Sequence, residues 1–432
     1  MLGGCFSSVQ YACEDDAQCR VSGAAGVCAE EGYCAYQDPD CESGLRYGPF
    51  AGSFSEACVG AQSGSGTSTG QTGGAVSSSS ADSADPSAGT SGSSGPPPGS
   101  SSSDATGCGA SCGDLGEILW TVADDDTAVF HGVTVFGGEL LVAGAREGAQ
   151  LVQRRDPDDG AVVADVSGAG MGTARDIAAL AELLVVVGEQ DGALQTRATA
   201  VALDPSFGVL WSQSFESAAA DAFRAVSVGE AGVVAVGSAG DDGLVMAYDT
   251  DGLETLRRIV SPEGEAQSAL LAVDGVPDAA VLGGTAGSNA WMARLLGSGS
   301  VVDGAAVPSL SRVHGVASVG PALDILVGEG EGEGRFALLG ARGTVQSGGP
   351  LPGGTLAAVD SLEGGGWVAV GTDARMRPWF TVRDADGEAL AEDVLPDVDG
   401  PARALTVSEG VAYVVGGQRR PWVAAVAVGA SP

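Results

Sequence analysis

An apolar segment that ends in glycine recurs seven times between residues 141 and 416 of this 432-residue chain. Two examples are Leu141-Val142-Ala143-Gly144 and Val234-Ala235-Val236-Gly237, and successive glycines lie 43 to 49 residues apart. A period in the forties with several strand-like runs per repeat is typical of β-propeller blades. We therefore expect an all-β fold with seven blades. The seven glycines are Gly144, Gly188, Gly237, Gly283, Gly328, Gly371 and Gly416.

Each repeat predicts four strands. The first begins about 13 residues before the glycine, the glycine closes the second, and a turn rich in Asp and Gly, such as Asp249-Thr-Asp-Gly252, separates the third from the fourth. These turns lack the 12-residue loop and terminal Glu of a calcium site, so they favour hairpins. The seventh repeat ends after three strands, and residues 116–122 offer the missing fourth. We expect strands from both termini to close the ring, with the tryptophans packed between blades.

All nine cysteines lie in the first 112 residues, ahead of the repeats. Dense cysteines without the paired C-x2-C spacing of a zinc site indicate a disulfide framework in an oxidising compartment. Six of them, from Cys13 to Cys58, could form three bridges in any of 15 connectivities. The cysteines expected in disulfides are Cys13, Cys19, Cys28, Cys34, Cys41, Cys58, Cys108 and Cys112.

The ninth cysteine lies in Leu2-Gly3-Gly4-Cys5, which resembles a bacterial lipobox. The resemblance implies lipidation of Cys5 and leaves eight cysteines to pair. The basic and apolar segments that precede a lipobox are missing, because Met1 stands directly before Leu2. Either translation starts further upstream or the match is fortuitous.

Composition divides the chain into three regions. We expect a disulfide module over 1–60, a disordered linker over 61–107, and the propeller over 108–432 with its blades in 116–432. The linker is almost entirely Ser, Gly, Thr, Ala and Pro, with three Asp, two Gln and one Val, and such a segment cannot bury enough apolar area to offset the entropy of ordering. No apolar run approaches the roughly 18 to 20 residues that span a bilayer. Contact with a membrane would therefore be only through a lipid anchor.

The repeats resemble those of the quinoprotein-like and Kelch-like propeller superfamilies. With the Cys-rich head and the Ser/Gly linker, the chain also resembles predicted surface lipoproteins of myxobacteria. These resemblances imply a fold and an extracytoplasmic address, in the bacterial cell envelope or secreted. Their motifs are generic and imply an activity only weakly.

Propellers place functional groups where the innermost strands meet at a mouth of the central channel. Counting back 13 to 15 residues from each repeat glycine gives one position per blade, and it holds both histidines of the chain and three arginines. We expect these five to converge and to bind a carboxylate, sulfate or phosphate, more tightly as the pH falls through the His range near 6.5. The alternative is that each Arg pairs with a carboxylate of a neighbouring blade. The seven positions are His131, Arg175, Arg224, Ser268, His314, Leu356 and Arg403.

Charge narrows the possible partners. The chain carries 56 acidic residues against 20 basic ones, a net charge of −36, so phosphate backbones would repel it and nucleic acid is not an expected partner. No acidic or thiol ligand recurs beside the histidines, so we expect no metal, and we expect no cofactor. We predict a monomeric, non-enzymatic binding or scaffold protein whose partner is a protein, a glycan or a small anionic ligand. The rival is an enzyme with its site at the channel mouth, such as a quinoprotein-like dehydrogenase or a polysaccharide lyase or hydrolase.

Overall fold

The computed structural model describes parts of residues 20–59 and most of residues 114–429. These residues belong to two compact units, Met1–Ala105 and Thr106–Pro432. No helix in the described residues is long and apolar enough to cross a bilayer. The gaps in the second part are 125–126, 193–194, 262–266, 277–278, 297–299, 303–305, 320–322, 341–343, 352–353 and 418–419.

The first unit contains two small sheets. Strands β1 (Arg20–Val21) and β2 (Ala24–Ala25) form a pair, and β3 (Val27–Cys28), β4 (Cys34–Gln37) and β5 (Leu45–Tyr47) form a three-stranded sheet. A disulfide joins Cys41 to Cys58, with Cα atoms 5.5 Å apart. Cys28 and Cys34 are also disulfide-bonded. The disulfide prediction is therefore confirmed for these four. Cys5, Cys13, Cys19, Cys108, Cys112 and the predicted linker lie outside the described residues.

The second unit is built from antiparallel strands. The first strands in chain order are β6 (Ile118–Ala123), β7 (Val129–Phe136), β8 (Glu139–Arg146), β9 (Ala149–Arg155), β10 (Val162–Leu180), β11 (Leu183–Asp191), β12 (Thr196–Leu203), β13 (Val209–Phe215), β14 (Asp221–Gly229), β15 (Gly232–Ala239), β16 (Asp242–Tyr248), β17 (Glu254–Val260) and β18 (Ser268–Val276). The others are β19 (Ala279–Ala286), β20 (Asn289–Leu296), β21 (Val301–Val302), β22 (Arg312–Ser318), β23 (Leu323–Gly330), β24 (Glu333–Gly340), β25 (Val345–Pro350), β26 (Thr355–Ser361), β27 (Trp367–Thr372), β28 (Pro378–Arg383), β29 (Ala389–Val394), β30 (Ala402–Ser408), β31 (Val411–Gly416) and β32 (Trp422–Ala427).

These strands form a ring of four-stranded blades. The first part of β10 pairs with β9 and its second part with β11, so this one strand ends blade 1 and begins blade 2. Blades 3 to 6 are separate sheets, β14–β17, β18–β21, β22–β25 and β26–β29. The innermost strands contact one another in the order β7, β10, β14, β18, β22, β26 and β30, and β30 contacts β7. The described strands thus make a closed ring of seven blades, as the repeats predicted.

The two ends of the propeller sequence meet in blade 7. Its sheet has the order β30, β31, β32, β6, and Trp120 of β6 lies opposite Ala425 of β32, which confirms the predicted closure. Arg155 of blade 1, which is fully buried, forms an ion pair with Asp124, just after β6. The indole Nε1 of Trp120 donates a hydrogen bond of 3.1 Å to the carbonyl of Pro157. Both contacts fasten the N-terminal strand to the neighbouring blade.

The core is divided into apolar layers between adjacent blades. One layer joins Val187 of blade 2 to Phe223 of blade 3, and another joins Phe130 of blade 1 to Tyr413 of blade 7. Each middle strand is covered on both faces, so its sequence is continuously apolar instead of alternating. Outer strands are largely exposed, as in Glu254–Val260. Trp211 shows the expected packing between blades, because its Nε1 donates to the carbonyl of Thr250 in blade 3.

The Asp-rich turns are hairpins, as predicted. Asp249 Oδ1 accepts backbone N–H groups from Asp251 at 3.1 Å and from Leu253 at 2.8 Å. Asp384 Oδ1 accepts in the same way from Asp386 and Glu388. Each carboxylate therefore satisfies the amides that the tight turn leaves unpaired.

Each innermost strand carries a β-bulge at an equivalent residue. In blade 3, Phe223 pairs with Gly237 and Ala225 with Val236, which leaves Arg224 unpaired. The bulge pushes the carbonyl of Ala222 toward Gly237, where any Cβ atom would overlap that oxygen. The same overlap exists in every blade, and it explains the repeat glycine. The seven glycines concerned are Gly144, Gly188, Gly237, Gly284, Gly328, Gly371 and Gly416.

We predict that Gly237→Ala lowers the free energy of unfolding by about 3 kcal/mol or more, since the methyl group meets backbone and not a flexible side chain. Chemical denaturation of the full chain measures this. Gly429→Ala is the matched control, because a Cβ there meets no atom within 4 Å. Equal stability of the two variants would contradict the bulge as the origin of the repeat glycine.

Candidate functional site

The seven bulges direct one side chain per blade to the axis of the ring. A bulge re-aims the side chain of its extra residue, and here that residue lines the channel mouth. The five residues predicted to converge, His131, Arg175, Arg224, His314 and Arg403, all occupy this position. We call the full set the collar. It comprises His131, Arg175, Arg224, Leu271, His314, Ala357 and Arg403.

Two of the seven predicted positions were wrong. In blade 4 the repeat glycine is Gly284 and not Gly283, so the collar residue is Leu271; Ser268 instead bonds to Val260 O at 3.0 Å. In blade 6 the collar residue is Ala357, while Leu356 is buried in the apolar layer between blades 5 and 6. In blade 4 the adjacent Gly283 displaced the count by one residue and the use of 15 residues instead of 13 displaced it by two more; in blade 6 the count of 15 was one residue too long.

The collar lies between two cavities. An outer cavity of about 440 Å³ is lined by the collar and also by Arg312, Glu329, Thr355 and Thr372. An inner channel of about 330 Å³ is lined by the same collar and by Asp176, Asp274 and Asp360. A group that enters through the outer cavity therefore meets the collar before it meets the aspartates.

Positive charge exceeds negative charge at this mouth. Arg175 forms an ion pair with Glu189, and Arg224 Nη1 lies 3.8 Å from the other oxygen of the same carboxylate. Arg403 Nε donates to the carbonyl of Gly417 at 3.3 Å and makes no ion pair with the described residues. Among the residues that the structure describes, the charged side chains there are four arginines and two glutamates, a surplus of two positive charges: Arg175, Arg224, Arg312, Arg403, Glu189 and Glu329.

Burial opposes the charge on these groups. It lowers the pKa of Arg403, and so does the nearby charge of Arg175. Burial also lowers the pKa of Arg224, with Arg175 adding to the effect and Glu189 opposing it. Guanidiniums stay protonated even so, because their ordinary pKa lies far above physiological pH. The collar therefore holds desolvated cations that would gain from an added anion.

Both histidines are neutral at physiological pH. Burial lowers the pKa of His131, and together with the charges of Arg175, Arg403 and Arg224 it brings the value to about 3. For His314, burial is the larger effect and lowers the pKa, while the charge of Glu329, 4.0 Å from its Nε2, opposes it. Arg175 Nη1 is 3.5 Å from Nε2 of His131, which can only accept there. The expected rise in anion affinity near pH 6.5 is therefore corrected: the histidines add hydrogen bonds and no charge.

Sequence reasoning missed three aspartates below the collar. Asp176 of blade 2 accepts the N–H of Val226 in blade 3 at 2.9 Å, and Asp360 of blade 6 accepts that of Val407 in blade 7, also at 2.9 Å. Asp274 of blade 4 accepts the N–H of Ser318 in blade 5 at 2.7 Å. Burial raises the pKa of Asp176 to about 7 and that of Asp360 to about 6. The sequence signal that could have identified these residues is an Asp inside an otherwise apolar inner strand.

Comparison with solved structures supports the fold. The chain is similar to streptogramin B lyase, with a TM-score of 0.54 at 11% identity over 72% of this chain and 97% of that one. It is similar to the WD40 propeller of Doa1, with a TM-score of 0.52 at 13% identity over 71% of this chain and 96% of that one. It is similar to the Neurospora crassa Pan2 WD40 domain, with a TM-score of 0.52 at 11% identity over 73% and 95%. No protein-family model and no curated protein matches the sequence. At these identities the likeness shows a β-propeller and nothing about activity.

We predict that Asp176 makes the propeller less stable as pH rises. The unfolded carboxyl ionises near pH 3.8 and the folded one near 7, so the stabilising contribution is fully present below pH 3.8 and is lost as pH rises through 7. Because the side chain still lines the channel, we expect a loss of roughly 1 to 2 kcal/mol between pH 5 and pH 8. Asp176→Asn should remove this part of the slope. The exposed Asp251→Asn is the control, and identical slopes in all three proteins would contradict the assignment.

We also predict that neither histidine titrates near pH 6.5, since the pKa of His131 is lowered to about 3 and burial lowers that of His314. These are the only two histidines of the chain, so imidazole NMR signals can be assigned with one His131→Gln variant. An imidazole that titrates near pH 6.5 would show that water reaches the collar freely.

Proposed function

We propose that the propeller is a non-enzymatic binding protein that holds a small anionic group, a carboxylate, sulfate or phosphate, at the collar. The observation that carries the proposal is Arg403. It points into the mouth beside Arg175 and Arg224, and its guanidinium donates only to a backbone carbonyl among the described residues. A desolvated cation with no carboxylate partner is costly unless a ligand compensates it.

The geometry suits anion binding in three respects. Guanidiniums donate hydrogen bonds in pairs to planar or tetrahedral oxyanions. Each neutral imidazole at the same mouth has one N–H group that can donate a further hydrogen bond to the anion. The surrounding protein is strongly acidic, so the collar provides local positive potential in a negative field and would select anions by contact more than by long-range attraction.

We further propose that the protein works outside the cytoplasm as a surface lipoprotein or a secreted protein. Disulfides at Cys28, Cys34, Cys41 and Cys58 favour an oxidising compartment. Lipidation of Cys5 rests on its lipobox-like sequence alone. Metabolic labelling with a fatty acid, compared between the full chain and Cys5→Ser, tests it.

We predict that sulfate raises the melting temperature of the full chain and that salt weakens the effect, because the mouth is open to water. The double variant Arg224→Ala, Arg403→Ala should lose the rise. Arg257→Ala with Arg258→Ala is the matched control: it removes the same charge from the exposed outer strand β17 and should retain the rise. A sulfate effect that survives in the collar variant would place the anion elsewhere and return these arginines to a structural role.

A further inference from the structure

A groove between blades 5 and 6 continues from the collar mouth. It has a volume of about 810 Å³, within the range of small-molecule sites. Thr355 and Thr372 line both this groove and the outer cavity of the collar. These two residues are paired across β26 and β27, so they form the shared wall. A ligand that fills the collar mouth can extend over this wall into the groove.

The groove is mainly apolar at its floor and rim. Leu351 is 4% exposed at the floor, and Met376 is 64% exposed at the rim. Met376 has a φ of 64°, a conformation that a long side chain rarely adopts and that Gly or Asn would hold more easily. Met376 therefore exposes an apolar side chain to solvent and also has an unfavourable backbone conformation. Thioether side chains adapt well to apolar ligands.

The charges in the groove oppose a second anionic group. Asp373 accepts backbone N–H groups from Arg375 and Arg377 and is paired with the Arg377 side chain at 2.7 Å. Glu333, at the start of β24, is exposed and makes no ion pair with the described residues. A carboxylate placed in the groove would therefore face Glu333. The groove suits an uncharged body, and the collar suits its anionic end.

From this continuity we propose that the ligand of the propeller is a carboxylate with an apolar chain, whose carboxylate binds the collar and whose chain lies in the blade 5–6 groove. The proposal rests on the anion site proposed above and defines the class of ligand for it. The same chemistry occurs in a fatty acid and in the C-terminus of an apolar peptide.

Calorimetric titration of the full chain with acetate, octanoate and the dicarboxylate suberate tests the proposal. Each buried methylene improves affinity by roughly fourfold, so partial burial of the chain should make octanoate bind at least about tenfold more tightly than acetate. Suberate should lose most of this gain, because its second carboxylate would enter beside Glu333. Acetyl-Leu-Leu with a free carboxylate, compared with its amide and with octanoate, distinguishes the peptide source from the fatty-acid source.

Met376→Asp should reduce the affinity for octanoate to that for acetate, and Asp suits the positive φ at this position. Leu253→Asp is the matched control, because Leu253 is also an exposed apolar residue in a hairpin turn, at 68% exposure. If acetate and octanoate bound with equal affinity, and the double variant Arg224→Ala, Arg403→Ala bound neither, the proposal that the chain lies in the groove would be overturned. The proposal that the collar binds the anion would stand. Failure of every anion to bind would overturn the collar itself.

Discussion

The close contact between a bulged inner strand and a bare glycine on its neighbour is the constraint from which the rest of the propeller follows. The bulge adds one residue to the inner strand, and the displaced carbonyl occupies the space where a side chain would start on the second strand. Only glycine fits there. Because the arrangement occurs in every blade, it sets the direction of one side chain per blade. The sequence period and the candidate site therefore have the same cause.

Closure depends on a second constraint, the need to cover both faces of every blade. Leu119 and Trp120 of β6 pack against the apolar layer between blades 7 and 1, and the same strand places Trp120 against Gly160 and Asp124 next to buried Arg155. Arg155 also donates to the carbonyl of Gly160 at 2.8 Å and to Gln153 at 2.8 Å, so each of its three guanidinium nitrogens donates to a protein group. Losing one member of such a buried set leaves an uncompensated charge. The junction of the termini is thus held by polar contacts as well as by the apolar layer.

The fold could be predicted from the sequence because its determinants are local and repeated. The glycine spacing, the apolar middle strands and the Asp-rich turns each occur in one continuous segment, and even the closing strand was visible as a surplus strand at the start. Five of the seven collar positions followed from the same count. Leu356 was wrong by one residue and Ser268 by three, because no composition signal shows where the bulge falls in each inner strand and because Gly283 and Gly284 are adjacent. Contacts between blades were not predictable from the sequence. Asp176 accepts a hydrogen bond from Val226, which is 50 positions away. Thr355 and Thr372 form a wall shared by two cavities, and tertiary packing alone brings those cavities together.

The collar residues and the aspartates beneath them have different roles in the narrow polar channel. Arg175 and Asp176 are adjacent in sequence, and the bulge sends the first to the mouth while the second turns to the next blade. The Asp176 carboxyl is satisfied by the backbone N–H groups of Ile177 and Val226, both at 2.9 Å, so it is not committed to neutralising Arg175. Asp360 is satisfied in the same way by Ser361 and Val407. Because these carboxyls accept from backbone N–H groups, they do not neutralise the arginines, and positive charge remains at the mouth of a protein whose net charge is −36. The same hydrogen bonds join neighbouring inner strands. An ion pair across the channel would instead have cancelled the positive charge of the site.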